Sequence, residues 1–471
     1  MPMFFQQYYL ACLSHASYLV GDRTTGRAVV VDPQRDIAQY LADAEANGLR
    51  IEAVVETHFH ADFLSGHLEL AEATGAEIRY GEAAVGIAEF PIRPLADGER
   101  IVLGDVVLEA RATPGHTPES ISIVVYEHAD DTVPYGVLTG DTLFIGDVGR
   151  PDLLTSVGVS GDELARSLYR SLHDKLLTLP DDTRVFPAHG AGSACGKNLS
   201  TETTSTMGEQ RRTNYALQPM SEEAFVAAVT EGQPAAPLYF AFSAARNKQA
   251  RPLLEEDHAP VAIPLEEVLR LQAAGALVLD TRPPADFALG HLRGSVNVGL
   301  EGRFAEYAGD VIRPDQSVVL VGEDGTETEA KVRLARIGFD RVLGALADPI
   351  ASFLRRPDLV EQSTRISATE LAARSSELDR LQVVDIRNEG EARLGMIPGA
   401  VVIPLARLLA RLDELDRGAP TVVHCAGGYR SSIGTSVLRA NGFTDVSDLL
   451  GGYAAWAAAE LPTTTFTPAA G

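Results

Sequence analysis

The stretch Thr57-His58-Phe59-His60-Ala61-Asp62-Phe63 sets three side chains of metal-ligand type within five positions. More follow far along the chain. His116 lies in Thr113-Pro114-Gly115-His116-Thr117, Asp141 follows Leu138-Thr139-Gly140, and His189 follows Val185-Phe186-Pro187-Ala188. A lone histidine is more often structural than a ligand. A whole set, each member just past a strand-like run, is the pattern of an α/β ligand site. Phe63 ends the first stretch with a ring that cannot coordinate metal. A second kind of chemistry sits near the other end, in His424-Cys425-Ala426-Gly427-Gly428-Tyr429-Arg430-Ser431-Ser432. A loop that opens onto a helix turns its backbone N–H groups inward and cradles an anion. Glycines at 427 and 428 allow the tight curl. Cys425 is placed as a nucleophile in that cradle, and Arg430 adds a fixed positive fork. Cys195 lies six residues after His189 in a Gly-rich loop. It reads either as a thiol at the mouth of the metal site or, more plainly, as a small buried side chain. Cys12, in Tyr8-Tyr9-Leu10-Ala11-Cys12, reads as core.

These residues need strands and helices to place them. Ala28-Val29-Val30-Val31-Asp32 is predicted to be a buried strand ending at an acidic residue, and Ile51 to Thr57 a strand leading into the histidine cluster. Val106–Ala110, Ile121–Tyr126 and Tyr135–Gly140 follow as strands. Gly66–Ala76 and Asp162–Leu177 have helical spacing, the latter closed by Pro180. The polar stretch Ser243–Pro252 reads as a separator. Beyond it the chain repeats itself: Leu277-Val278-Leu279-Asp280-Thr281-Arg282 resembles Gln382-Val383-Val384-Asp385-Ile386-Arg387, an offset of about 105 residues. Arg356–Arg365 is the expected joint between the copies, and the second copy's helix is expected over Ser432–Ala440. Aligned on Gly338-Phe339 and Gly442-Phe443, Val321 stands where Cys425 does and Thr326 where Arg430 does. Glu323 and Asp324 make that loop acidic.

With 471 residues, about two to four domains are expected. Apolar residues make up 45% and charged residues 22%, as in soluble globular proteins. A formal net charge of −25 argues against nucleic-acid binding, which needs clustered Lys and Arg. Three distant cysteines make no disulfide framework. No apolar run reaches the roughly 18 residues of a membrane span, and the N-terminus lacks a basic leader. The expected setting is a reducing cytoplasm, with no membrane partner.

Residues 1–245 resemble the metallo-β-lactamase superfamily, whose pattern H-x-H-x-D-H normally serves two metals. One metal there takes the first two His and the His of P-G-H-T. The other takes the Asp, the adjacent His and the late His, and the Gly-Asp carboxylate bridges them. Phe63 replaces a ligand of the second metal. Gly140-Asp141-Thr142-Leu143-Phe144 and Gly149-Arg150-Pro151-Asp152 resemble the persulfide dioxygenases, although glyoxalase II has similar stretches. That likeness implies an αββα sandwich holding one Fe(II) per chain on His58, His116 and Asp141. His60, Asp62 and His189 would orient ligands and substrate. Arg150 would meet a substrate carboxylate or serve structure. Two imidazoles and one carboxylate leave room for substrate and O2, which suits non-haem iron. Residues 366–460 resemble the rhodanese active domain, through the Cys425 loop, Asp385, Arg387, Pro398-Gly399-Ala400 and Gly451-Gly452-Tyr453-Ala454-Ala455-Trp456. Met396 departs from a His common there. The short loop suits a sulfane sulfur; related phosphatases use a longer one.

The resemblance therefore implies an α/β multidomain chain. Residues 1–245 would form the dioxygenase domain, 255–358 an inactive rhodanese copy and 364–471 an active one, the rhodanese sheets being mainly parallel. The implied partners are a low-molecular-weight thiol persulfide such as glutathione persulfide, O2, and sulfite or thiosulfate, with the chain a homo-oligomer. Two rival readings remain at this point: a two-metal, glyoxalase-II-like thioester hydrolase fused to a sulfurtransferase, and a sulfide-sensing or sulfur-carrier scaffold in which Cys425 merely stores sulfur.

Overall fold

The structure, a computed structural model, describes residues 2–153, 155, 158–378 and 380–467. The chain divides into two compact units, Met1–Gln233 with Phe240–Glu255, and Pro234–Tyr239 with Glu256–Gly471. No helix among the described residues is long and apolar enough to cross a membrane.

The first unit has two six-stranded sheets. One runs in the order β1 (Met3–Leu10), β2 (His15–Asp22), β3 (Arg27–Val31), β4 (Arg50–Val55), β5 (Glu77–Gly81), β6 (Arg93–Leu95). The other contains β7 (Arg100–Val102), β8 (Val107–Ala112), β9 (Ile121–Tyr126), β10 (Gly136–Gly140), β11 (Arg184–Pro187) and β12 (Ser205–Thr206), ordered from β12 back to β7. Period-two alternation decides what each face buries. Tyr18, Val20, Val31 and Val55 meet Leu108, Ile123, Val125 and Leu138 between the sheets. The alternate residues Leu19, Val30 and Val54 pack outward under helices Ala38–Ala46 and His67–Thr74. Val107, Val124 and Val137 do the same under Gly161–Ser171 and Glu222–Thr230. Covered on both faces, these strands read as unbroken apolar runs. The result is the αββα sandwich. Cys12 is half-buried in the turn after β1 rather than in this core.

The site-bearing loops leave β4, β8, β10 and β11 at their carboxyl ends. At Gly140 the backbone turns left-handed (φ 52°), and a Cβ there would stand 2.7 Å from the Thr57 hydroxyl. Only glycine allows the two loops so close together.

The stretch Ser243–Pro252, expected to separate domains, instead belongs to the first unit. Helix Phe240–Arg246 delivers Asn247, whose amide donates to the carbonyls of His60 and Phe63 at 2.8 Å each and accepts from the Ser65 N–H at 2.9 Å. Arg251 pairs with the buried Glu69 at 2.6 Å, beside Arg35 at 3.0 Å. Polar composition misled here because these polar groups are buried and partnered rather than solvated.

The second unit holds two five-stranded sheets of one design. The first uses β13 (Ala262–Ile263), β14 (Leu277–Asp280), β16 (Val296–Asn297), β17 (Val318–Val321) and β18 (Val342–Leu346), in the order β13-β18-β17-β14-β16. The second uses β20 (Thr364–Ile366), β21 (Gln382–Asp385), β22 (Val401–Val402), β23 (Thr421–His424) and β24 (Val446–Leu449), in the order β20-β24-β23-β21-β22. Every pairing in both is parallel, so helices must make the crossovers. The expected joint is not slack: β19 (Val360–Glu361) pairs back on β15 (His291–Leu292).

Asn247→Ala removes all three of its bonds and strands buried carbonyls. Urea unfolding of the full chain is expected to show the first unit weakened by about 3 kcal/mol. A change under about 0.5 kcal/mol would contradict the bracing role.

Candidate functional site

His58, His116 and Asp141 come together, fully buried, at the carboxyl ends of β4, β8 and β10. His58 Nε2 lies 3.8 Å and His116 Nε2 3.5 Å from Asp141 Oδ2. That leaves room for one ion at bond lengths of about 2.1 Å. His58 Nε2 and Asp141 Oδ2 have no hydrogen-bond partner among the described residues. In a dry site, such orphaned atoms call for an ion.

The tautomers follow from what stands behind each ligand. The Thr57 hydroxyl donates to Asp32 Oδ2 at 2.9 Å, so its oxygen accepts from His58 Nδ1 at 3.0 Å. The Arg150 carbonyl accepts from His116 Nδ1 at 2.8 Å. His189 Nδ1 donates to Asp141 Oδ1 at 2.7 Å. Each partner takes the rear atom, so the lone pairs of His58 Nε2, His116 Nε2 and Asp141 Oδ2 converge. Burial, then His60, hold the His58 imidazole well below its usual range, which keeps the ring ligand-ready. Burial opposes the Asp141 carboxylate, but His189, His58 and His116 outweigh it and hold it well below.

His60 faces elsewhere. Its Nε2 lies 3.1 Å from Asp32 and 3.5 Å from Glu56, with His67 on the far side of Glu56 at 3.3 Å. Asp62 turns to His189 instead: its Oδ2 is 2.6 Å from His189 Nε2. Burial works against a charge on His189, yet Asp141 and Asp62 raise it well above the histidine range. Phe63 is fully buried between His60 and His15, with ring centroids 4.3 and 3.8 Å away. Cys195 is buried with Asp62 and His189. Burial, then Asp62 and Asp141, push its thiol well up, which makes it a poor nucleophile. Arg150 is buried, forked onto Asp152 at 2.6 and 2.7 Å and donating to the Ala194 carbonyl. Its contacts thus bind the 147–152 turn to the Cys195 loop. His15, Asp32 and Glu56 have no site role in the sequence reading. An acidic residue ending an all-apolar strand was the available signal for Asp32; nothing marks His15.

In the second unit, Cys425 follows β23 and is buried. The Gly428 N–H donates to its sulfur at 3.1 Å, and the thiol contacts Ser431 Oγ at 3.6 Å. The helix begins at Tyr429, three residues before the expected Ser432, because Gly428 caps it with φ 107°. The cradle is therefore only Cys425 to Gly428, with Ala426 and Gly427 inside it and Arg430 already helical. The Tyr453 N–H holds the Cys425 carbonyl at 2.7 Å and the Ala454 N–H that of Ala426 at 3.0 Å. Arg430 makes a two-pronged pair with Glu391 at 2.8 and 2.9 Å. Glu391 was not foreseen; its only mark is a capping position three residues after Asn388.

The first copy keeps the frame and lacks the cradle. Arg282 clamps Asp280 at 2.6 Å as Arg387 clamps Asp385 at 2.6 Å. Strand register pairs Asp280 with Val321 and Asp385 with His424. Gly322, not Val321, therefore occupies the place of Cys425, and counted from the helix starts at Glu327 and Tyr429, Thr328, not Thr326, takes that of Arg430. The Gly-Phe alignment is one residue out because Val321 to Gly338 is one residue shorter than His424 to Gly442: the loop before the helix is one residue longer, but the stretch from helix start to the glycine is two shorter.

Residues 10–189 match the family described as metallo-beta-lactamase superfamily, and residues 264–347 and 367–459 each match the rhodanese-like domain. The chain is 34% identical to the mitochondrial persulfide dioxygenase ETHE1 of Bos taurus over 209 residues, 44% of this chain and 73% of that protein. It is 32% identical to a probable metallo-hydrolase of Burkholderia pseudomallei, over 45% of this chain and 80% of that one. A crystal structure described as a metallo-beta-lactamase from Staphylococcus aureus is 34% identical, with TM-score 0.68, covering 73% of this chain and 99% of its own.

Thr57→Val removes the acceptor behind His58. Chelator competition is expected to show divalent-metal affinity lowered about 10–100-fold. Unchanged affinity would mean the ring is oriented by other contacts.

Proposed function

We propose that this chain, which belongs to the metallo-β-lactamase superfamily alongside the persulfide dioxygenases and carries two rhodanese-like domains, is an enzyme that oxidises a thiol persulfide to sulfite and passes sulfane sulfur through Cys425. The observation that carries the reading is the convergence of three lone pairs, from His58, His116 and Asp141, with the non-coordinating ring of Phe63 packed against His60. Two nitrogens and one carboxylate oxygen suit a single Fe(II), which when bound supplies the redox chemistry O2 requires. Overall, R–S–SH + O2 + H2O gives R–SH, sulfite and two protons. The protein's part is to fix the ligand tautomers through Thr57, the Arg150 carbonyl and His189. It also keeps the site dry. His189, held between Asp141 and Asp62, would carry a proton beside the proposed metal ligand Asp141.

The rhodanese step needs no metal. The Cys425 thiolate attacks the outer sulfur of R–S–SH; the S–S bond breaks and R–S⁻ leaves with its electron pair. Sulfite then takes that sulfur from Cys425, which gives thiosulfate and returns the thiolate. The exchange runs in either direction. The Gly428 N–H and the helix that starts at Tyr429 support the negative sulfur. Cys12, Cys195 and Cys425 form no disulfide among the described residues, which supports a reducing setting such as the cytoplasm.

One observation favours the hydrolase alternative: Asp62, His189 and Cys195 form a second ligand-type group. A thioester hydrolase would bind two metals there, so metal content separates the readings.

O2 uptake by anaerobically Fe(II)-loaded chain with glutathione persulfide is expected to form sulfite. His116→Ala should lower it by more than the about 10–100-fold that outer partners cost. Thioester cleavage by a zinc-loaded chain, without O2 uptake, would overturn the proposal. Cys425→Ser should abolish thiosulfate formation and leave sulfite formation; loss of both would refute the division of labour.

A further inference from the structure

The first rhodanese copy lost its nucleophile but has a cavity of about 680 Å³ against the catalytic loop of the second copy. That volume falls within the roughly 300–1,000 Å³ of small-molecule sites and far exceeds what thiosulfate needs. Leu300, Glu301, Tyr307 and Glu323 of the first copy line it, together with Tyr429 of the second.

The lining selects a charge. Its arginines are turned onto the protein: Arg333 donates to the carbonyls of Leu300 and Gly302, and Arg303 pairs with Glu306. Glu329 in turn pairs with Arg333 at 3.2 Å. That leaves the Glu301 and Glu323 carboxylates to set the sign. The Tyr307 and Tyr429 rings stand 5.5 Å apart, centroid to centroid. Carboxylates and aromatic faces both attract an ammonium group. A polyanionic thiol would be repelled.

Tyr429 ties the cavity to the chemistry. It opens the helix after the cradle, and its hydroxyl donates to the carbonyls of Gly299 at 2.6 Å and Glu301 at 3.1 Å. An occupant of the cavity therefore touches the first residue of the helix that follows the Cys425 cradle.

We propose that this cavity binds the organic part of an ammonium-bearing thiol, of the amino-acid or small-peptide type, as the carrier that exchanges sulfur with Cys425. The inference rests on the proposed sulfur transfer and adds the carrier's class and seat. Sulfur moves as above: the carrier's S–S bond breaks as the Cys425–sulfur bond forms, and the carrier leaves as thiolate with no net oxidation.

The test is calorimetric titration of the full-length Cys425→Ser chain with S-methylcysteine methyl ester, an ammonium-bearing thioether with no carboxylate. Binding is expected, weakened about tenfold or more by Leu300→Trp, which crowds the cavity beside Tyr429, and similarly by Glu323→Gln, an exposed change that spares the fold. N-acetylation of the probe should cost as much. In the Cys425 chain, the ratio of KM for persulfide to KM for thiosulfate should rise about tenfold in Leu300→Trp. Binding lost in both variants establishes the cavity even if persulfide transfer through Cys425 fails. No binding, binding indifferent to both variants, or preferential binding of coenzyme A overturns the inference, and intact thiosulfate formation would leave the proposed function standing.

Discussion

The candidate metal site of this protein depends on three hydrogen bonds made behind the proposed ligands. An imidazole offers a lone pair on one nitrogen only if its other nitrogen has something to donate to. Thr57 with Asp32 behind it, the Arg150 carbonyl, and His189 provide the rear partners for His58, His116 and Asp141. The rest of the first unit serves to hold these partners still. Asp32 ends β3 in a left-handed turn (φ 50°), Thr57 follows β4, and Gly140 lets β10 pass close enough for Asp141 to arrive. Asn247 reaches back from far along the chain to fix the loop that carries His60 and Asp62.

The same logic explains why His60, the second histidine of the motif, points away. Asp32 and Glu56 hold its ring from one side, and Phe63 packs against it. A residue of ligand type becomes a structural one when its acceptor lies deeper than the ion would. Phe63 also packs at a tilt against His15, so the position that would carry a further histidine ligand holds an apolar ring instead.

In the second unit, one frame carries two outcomes. The Asp–Arg clamp, the strand order and the parallel register recur in both copies. What differs is the loop after β17 in the first copy and after β23 in the second. Gly322 begins a longer, acidic loop, where Cys425 begins a short one that places an N–H on the sulfur. Fold energetics are carried by the frame, so the cradle could be lost without losing the copy.

Much of this was legible in the sequence. Runs such as Val29-Val30-Val31 announce strands buried on both faces, and ligand-type residues just past strands announce a site. Repeated landmarks announce the duplication. What was hidden depends on long-range partners. Asn247 and Arg251 sit in a polar stretch that looks like a linker until their buried partners are known. His15 has no pattern at all, because its place is set by the facing sheet edge. Glu391 looks like a cap and is also the partner of Arg430. The longer loop and shorter helix of the first copy emerged only from strand register and helix starts.

The most direct test is iron analysis with X-ray absorption spectroscopy on Fe(II)-loaded chain. The account predicts one iron per chain, with two imidazole nitrogens and one carboxylate oxygen from the protein, and no metal–metal scattering. Two metals about 3.5–4 Å apart, bridged through Asp141, would contradict it.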